Sequence, residues 1–283
     1  SVIEHPFHKR IYNVWKERRP KWVYELKGEE KKQLDDYLFT KTIAANLPEE
    51  VKAGVRAPER IFNSFSFHNF GGLQADGLEE LSEENLEILY RFSKEFDITY
   101  TRFLDLQKAE AQARESQIQL ALERVRARTM AMQKSDELPE TSLLLFQQVK
   151  ELGMTAVQNS IGIVNEEAGF VELSTAVHGH HLPRTLNVPI DDPYVMAKAV
   201  AAWKAKRQSL KMVFEGQELK NYNAHRNSFF ETKVNFPEDQ WIVNIIFFSK
   251  GWLSFSGTKN ISDETVDLLK RFGAVFEQTY TRF

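Results

Sequence analysis

The chain has 283 residues, no cysteine and a formal net charge of −3, with 42% hydrophobic and 27% charged residues. These values are typical of a soluble globular protein with about two domains, and they disfavour disordered and fibrous classes. The absence of cysteine excludes disulfides and thiolate metal sites and favours a cytoplasmic location. The negative charge disfavours a nucleic-acid partner, and the most apolar run, 241–248, is too short for a membrane helix of ~20 residues.

An internal repeat is the strongest feature of the sequence. Residues 82–103 read SEENLEILYRFSKEFDITYTRF and residues 262–283 read SDETVDLLKRFGAVFEQTYTRF, with 11 identities in 22 aligned positions. Three glycine and leucine positions of 71–77 recur at 251–257, and Trp15 and Gly28 recur as Trp203 and Gly216. The repeat therefore relates residues 1–103 to about 190–283.

This alignment predicts three parts of the chain. Residues 1–103 are a truncated copy that lacks the counterpart of about 137–189, residues 104–136 are a connector, and residues 137–283 are a complete copy. We expect both ends of the chain to be cuts within a longer repeating array, and we expect the sheet of the first copy to lack partners on one edge and one face.

The connector has neither proline nor glycine and is rich in Ala, Glu, Gln, Arg and Leu, which predicts a helix. Apolar residues recur seven apart in it, which predicts the seam of a weak, parallel two-stranded coiled coil. The predicted dimer seam consists of Leu104, Ala111, Ile118, Val125 and Met132. The alternative is a solvated helix that spaces two domains.

In the second copy, Pro139 and Gly153 bracket a predicted helix, and a hairpin follows at 159–165 and 170–177. A short strand at 186–190 precedes a helix that Asp191 or Asp192 caps, with Pro193 in its first turn. A strand at 209–214, a helix at 218–232, a hairpin at 240–248 and 252–256 and a final helix complete the copy. Hairpin strands with helices at both ends and in the middle predict an α+β fold, in which an antiparallel sheet is flanked by helices.

This order of elements resembles a GAF domain, and the run 121–138, ALERVRARTMAMQKSDEL, resembles the helix that enters GAF-like domains of bacterial sensor histidine kinases and related signalling proteins. The resemblance implies one incomplete and one complete GAF-like copy joined by a long helix. It further implies terminal helices on one side of the sheet, a small-molecule pocket closed by the middle segments on the other, and a homodimer that relays input to an effector elsewhere in a longer protein. The sequence contains no phosphoacceptor box, ATP lid or Walker loop, so we expect no enzymatic activity.

Large side chains and a few polar groups of the second copy are the candidate ligand-binding residues. They are His178, His180, Arg184, Met196, Trp203, Phe214 and Trp252. The alternative, which base rates favour, is that the large residues fill the core, as aromatic residues at strand and helix spacing usually do. The ligand, and any cofactor, stay unidentified.

The run His178, His180 and His181 has the spacing of a transition-metal site but has no cysteine to help it, and exposed loop histidines explain it as well. We therefore predict neither a metal site nor catalytic residues. Two further functions remain open at this point: a structural dimerisation spacer without a ligand, and an enzyme whose site the sequence does not reveal.

Overall fold

The computed structural model describes residues 5–134, 137–177, 180–181, 185–229 and 239–280, with only the backbone at 180, 181 and 229. The chain divides into two compact units, Ser1–Ala111 and Gln112–Phe283. Among the described residues, no helix has both the length and the apolar character needed to cross a membrane.

The first unit contains a three-stranded antiparallel sheet whose strands lie side by side in chain order. A short 3-10 helix at Ile43–Asn46 lies between its second and third helices. The elements of the unit are α1 (Pro6–Lys16), β1 (Lys21–Lys27), α2 (Gly28–Lys41), α3 (Glu49–Arg56), β2 (Arg60–His68), β3 (Gly71–Gly77) and the start of α4 (Glu83–Ala131). Phe7, Leu26, Leu34 and Phe65 form its core.

The second unit contains a larger antiparallel sheet. Its elements after α4 are α5 (Leu138–Glu151), β4 (Gln158–Asn165), β5 (Phe170–Val177), β6 (His180–His181), β7 (Leu186–Pro189), α6 (Met196–Lys204), β8 (Ser209–Glu215), α7 (Gly216–Phe229), β9 (Gln240–Phe248), β10 (Gly251–Gly257) and α8 (Asp263–Tyr280). The strands of the sheet lie in the order β6-β5-β4-β10-β9-β8, with β7 also paired to β5. The predicted α+β fold, with an antiparallel sheet flanked by helices, is confirmed.

The sheet of the second unit separates two apolar cores. One core joins the end of α4, α5 and α8 to the sheet, with Val125, Leu145 and Phe272 at its centre. The other joins α6 and α7 to the sheet, with Ala199 and Phe214 among its buried residues. Because β4, β9 and β10 are buried on both faces, their apolar residues do not alternate simply with polar ones. Terminal helices and middle segments thus occupy opposite sides, as the resemblance implies.

The repeat is reproduced in backbone detail. Trp15 Nε1 donates to the carbonyl of His68 at 2.8 Å, and Trp203 Nε1 donates to the equivalent carbonyl of Phe248 at 3.0 Å. The equivalent glycines at the starts of α2 and α7 both have positive φ, +57° and +52°, a conformation in which glycine avoids the steric cost of a Cβ. The two copies therefore share local geometry as well as sequence.

The structure corrects two details of the predicted elements. Helix α6 begins at Met196 rather than at Pro193, because the backbone N–H groups of residues 194–196 first turn onto the Asp192 carboxylate. Helix α7 covers Gly216–Phe229, and the predicted extension to 232 lies outside the described residues.

Helix α4 runs without a break from Glu83 to Ala131, through the point where the repeat ends the first copy. Two residues of the predicted dimer seam, Val125 in α4 and Met132 just after it, are 0% and 3% exposed and pack into the core of their own unit. Ile118 is partly buried against that core, whereas Leu104 and Ala111 are exposed. The C-terminal half of the predicted seam is therefore occupied by the chain itself.

Candidate functional site

The candidate site is a cavity of about 70 Å³ in the second unit, between the sheet and the helices α6 and α7. Its apolar wall includes Met196 and Trp252, and its polar wall includes Gln158, Tyr222 and Arg226. Three serines, Ser160, Ser254 and Ser256, add hydroxyl groups from β4 and β10. A mostly apolar chamber with a few convergent polar groups is the usual form of a small-molecule site.

Arg226 is the cationic group of this cavity. It comes from the last turns of α7, is 6% exposed, and donates from Nη2 to Gln158 Oε1 at 2.7 Å. Burial lowers the pKa of Arg226 to about 10, so the guanidinium stays protonated at neutral pH. A buried positive charge in a cavity wall favours an anionic or strongly hydrogen-bonding ligand.

Tyr222 lies one turn before Arg226 on the same helix and lines the same cavity. Its ring stacks on Phe214 at 4.5 Å between centroids, and burial raises the pKa of its hydroxyl to about 12. The phenol is therefore neutral at physiological pH and offers the cavity a hydroxyl group rather than a negative charge.

Asp192 fixes the entrance to α6 and links it to α7. Its Oδ1 accepts from the backbone N–H groups of residues 194–196 at 3.3–3.4 Å, which neutralises part of the positive end of the helix dipole. Its Oδ2 contacts Nε2 of His225, the neighbour of Arg226 in α7. One carboxylate thus ties together the two helices that close the cavity.

The indole ring of Trp252 forms part of the cavity wall, and its packing depends on the neighbouring strand. Trp252 on β10 is 1% exposed, and its indole lies over Gly162 on the paired strand β4. A Cβ at Gly162 would lie 2.7 Å from Trp252 Cε2. The absent side chain at this position is what lets the indole lie flat against the sheet.

The structure brings two of the sequence-predicted ligand residues together, Met196 and Trp252, in the cavity wall. Phe214 is fully buried in the core behind Tyr222, so it supports the cavity without lining it. Trp203 lies in a surface groove at the far end of α6 and donates to the Phe248 carbonyl. The remaining candidates, His178, His180 and Arg184, together with His181, have side chains outside the described residues.

Sequence reasoning missed the polar groups that matter most here, Gln158, Tyr222 and Arg226. Arg226 and Tyr222 lie in a segment that reads as a polar surface helix, with no apolar stripe to mark a buried side. The available sequence signal was the spacing of four residues between Tyr222 and Arg226, which places both side chains on the same face of a helix. In the described part of the chain, no group of three or more His, Asp or Glu side chains could hold a metal ion.

No family model and no curated protein matches the chain. Among solved structures it is similar to the GAF domain of an Acinetobacter phosphoenolpyruvate-protein phosphotransferase, with 11% identity over 57% of this chain and 91% of that one and a TM-score of 0.36.

Proposed function

We propose that the chain is a non-catalytic sensory module of a bacterial cytoplasmic signalling protein, and that its second unit binds a small anion in the cavity beside Arg226. The observation that carries this proposal is the buried guanidinium in a chamber lined by serines, a glutamine and a neutral tyrosine. A guanidinium in the wall of such a chamber can donate charge-assisted hydrogen bonds to an anion.

The size of the cavity limits the ligand. At about 70 Å³ it is well below the ~300–1,000 Å³ of sites for drug-sized ligands. A molecule of a few heavy atoms, such as a short carboxylate, fits these dimensions and the charge of Arg226.

The position of the site suggests how binding would be transmitted. Helices α6 and α7, which close the cavity, pack on the sheet face opposite to α5 and α8. A ligand that favours one arrangement of the sheet would bias the terminal helices through β9 and β10, each of which has buried residues in both cores. We propose that a homodimer and an effector elsewhere in a longer protein read this change.

One observation favours a second function, that of a structural spacer without a ligand. Phe214, Trp241 and Trp252 are buried on the α6–α7 side of the sheet, and the cavity beside Trp252 is small. If no small anion binds, the same packing is that of a closed core.

Thermal unfolding in the presence of acetate or acetamide, two ligands of similar shape, distinguishes between these two functions. Acetate at increasing concentration should raise the melting temperature by a few degrees, because a ligand at 100 times its Kd contributes ~2.7 kcal/mol, whereas neutral acetamide should not. The Arg226→Met variant should lose the acetate effect.

The matched control is Arg271→Met, which removes an arginine from the surface of the same unit and should keep the acetate effect. If neither acetate nor other short carboxylates nor phosphate stabilises the wild-type chain, the spacer function replaces the sensory one.

A further inference from the structure

One helix face in the first unit is exposed although the repeat buries its counterpart. On α4, Phe92 is 65% and Phe96 is 46% exposed. Their equivalents on α8, Phe272 and Phe276, are both 0% exposed. The same sequence pattern is thus core in one unit and surface in the other.

The apolar surface extends along α4 beyond these two residues. Tyr100 stacks on Phe96, Phe103 stacks on Tyr100, and Phe70 packs edge-on against Tyr100. We call Phe92, Phe96, Tyr100 and Phe103 the aromatic face. A contiguous apolar patch on the surface of a protein often marks an interaction site.

The second unit shows what covers such a face. Phe272 and Phe276 share one core with Leu122 and Val125 of the incoming helix and with Leu145 of α5. The covering element is therefore a long helix followed by a short one, both presenting leucine and valine.

A sheet edge next to the aromatic face is open in the same way. In the second unit β10 pairs with β9 on one side and with β4 on the other. In the first unit β3 pairs with β2, and no strand is described on its other side. A Cβ at Gly251 would lie 1.9 Å from the carbonyl oxygen of Gly162 on β4, whereas its counterpart Gly71 has nothing within 4 Å.

A charged residue beside the aromatic face also fits the helix that covers α8 in the second unit. Arg271 of α8 holds both carboxylate oxygens of Glu115 in the incoming helix, at 2.6 and 3.0 Å. The repeat places Arg91 at the position of Arg271. Arg91 is exposed and has no ion pair among the residues that the structure describes.

We propose that the first unit docks a helix–hairpin segment of the kind that residues 112–177 form in the second unit. The helices of that segment cover the aromatic face, a glutamate at the position of Glu115 pairs with Arg91, and the first strand of its hairpin pairs with β3. One segment supplies all three, because α4, α5 and β4 follow each other along the chain. This surface is independent of the cavity in the second unit.

A fusion protein tests the proposal. A second copy of residues 112–189 is joined ahead of Ile3, the residue that the repeat aligns with Ile190, so that the full chain carries the added segment at high effective concentration. Hydrogen exchange is then measured at β3 and along α4 at 88–103. Docking should slow exchange of the β3 amides at least tenfold relative to the unfused chain.

The matched control is the same fusion with Leu145→Asp and Val149→Asp in the added copy alone, which should leave β3 exchange unchanged. Phe96→Asp in the first unit should also remove the protection, without affecting the unfused fold, because Phe96 is exposed there. Equal β3 exchange in the fusion and its control overturns the proposal.

Light scattering on the unfused chain tests a different occupant. A dimer that dissociates in the double variant Phe92→Asp, Phe96→Asp would mean that a second copy of the chain covers the aromatic face, which also overturns the proposal. A monomer, or a dimer that the double variant keeps, leaves the face open for the helix–hairpin segment, as proposed.

Discussion

The contact between Gly162 and Trp252 sets the packing of the cavity at the scale of single residues. A methyl group at Gly162 would meet Cε2 and Nε1 of the indole at 2.7 and 2.8 Å. Because Trp252 is buried, the ring has no free direction in which to move. Overpacking of this kind costs ~1–3 kcal/mol, so Gly162→Ala should lower the free energy of unfolding of the second unit by that amount in urea titrations.

Gly54→Ala is the control for this substitution. Gly54 lies within α3, and a Cβ there would meet nothing within 4 Å. Alanine also favours the helix over glycine by up to ~1 kcal/mol. The control should therefore be neutral or stabilising, and a Gly162→Ala protein as stable as the wild type would show that Trp252 does not rest on the strand.

Residues that end elements were more predictable than residues that line the site. Gly153 was predicted as a helix cap, and it has φ +87° just beyond α5, because few residues other than glycine adopt that conformation easily. Arg226 could not be placed in the same way, since its burial depends on strands β4 and β10 that are distant in sequence. A helix cap can be predicted from residues that are close in the sequence, whereas the residues that line a cavity can be identified only from the tertiary fold.

At the scale of elements, an ion pair fixes α4 to α8 in the second unit. Hydrogen bonds from Arg271 and Gln119 lower the pKa of Glu115 to about 2, from an ordinary value of 4.5. A carboxyl group whose pKa is lower in the folded state stabilises the fold above its unfolded pKa, and this stabilisation is lost as the pH falls through the folded pKa. Glu115→Gln should therefore reduce stability at pH 7, and the difference from the wild type should shrink between about pH 5 and pH 2.

Glu110→Gln is the matched control, since Glu110 lies on the same helix and has no ion pair among the described residues. It should leave the pH dependence of unfolding unchanged. Because Glu115 and Arg271 are exposed to solvent, 0.5 M salt should also narrow the difference at pH 7. A Glu115→Gln difference that stays constant down to pH 2 would contradict this account of the pair.

The helix of the connector illustrates what a pattern predicts and what it leaves undecided. The composition of 104–136 predicted a helix correctly for the part that α4 covers, since good helix formers dominate it. The heptad spacing did not reveal that Val125 and Met132 face the core of their own unit. A seven-residue apolar spacing describes any long buried stripe, so the partner of the stripe has to come from the structure.

At the scale of the whole molecule, the two units differ in how much apolar surface they bury. Among the described residues, the core of the first unit is a cluster of four buried side chains, Phe7, Leu26, Leu34 and Phe65, and the unit also has an open strand edge and an exposed aromatic face. The second unit has a core on each side of its sheet. Because burial of apolar surface is the main stabilising term in folding, the first unit should unfold at lower denaturant concentration than the second.

Hydrogen exchange in increasing urea measures this order strand by strand, with β2 reporting the first unit and β9 the second. Phe65→Ala should lower the free energy of unfolding that β2 reports by ~3–5 kcal/mol and leave that of β9 unchanged. Ile161→Ala, at a fully buried position of β4, should lower the free energy of unfolding that β9 reports by ~2–5 kcal/mol and leave that of β2 unchanged. If both strands exchange in one transition that either substitution shifts equally, the units are a single cooperative body. The exposed aromatic face would then be stable without a cover, and its exposure would no longer indicate a missing partner.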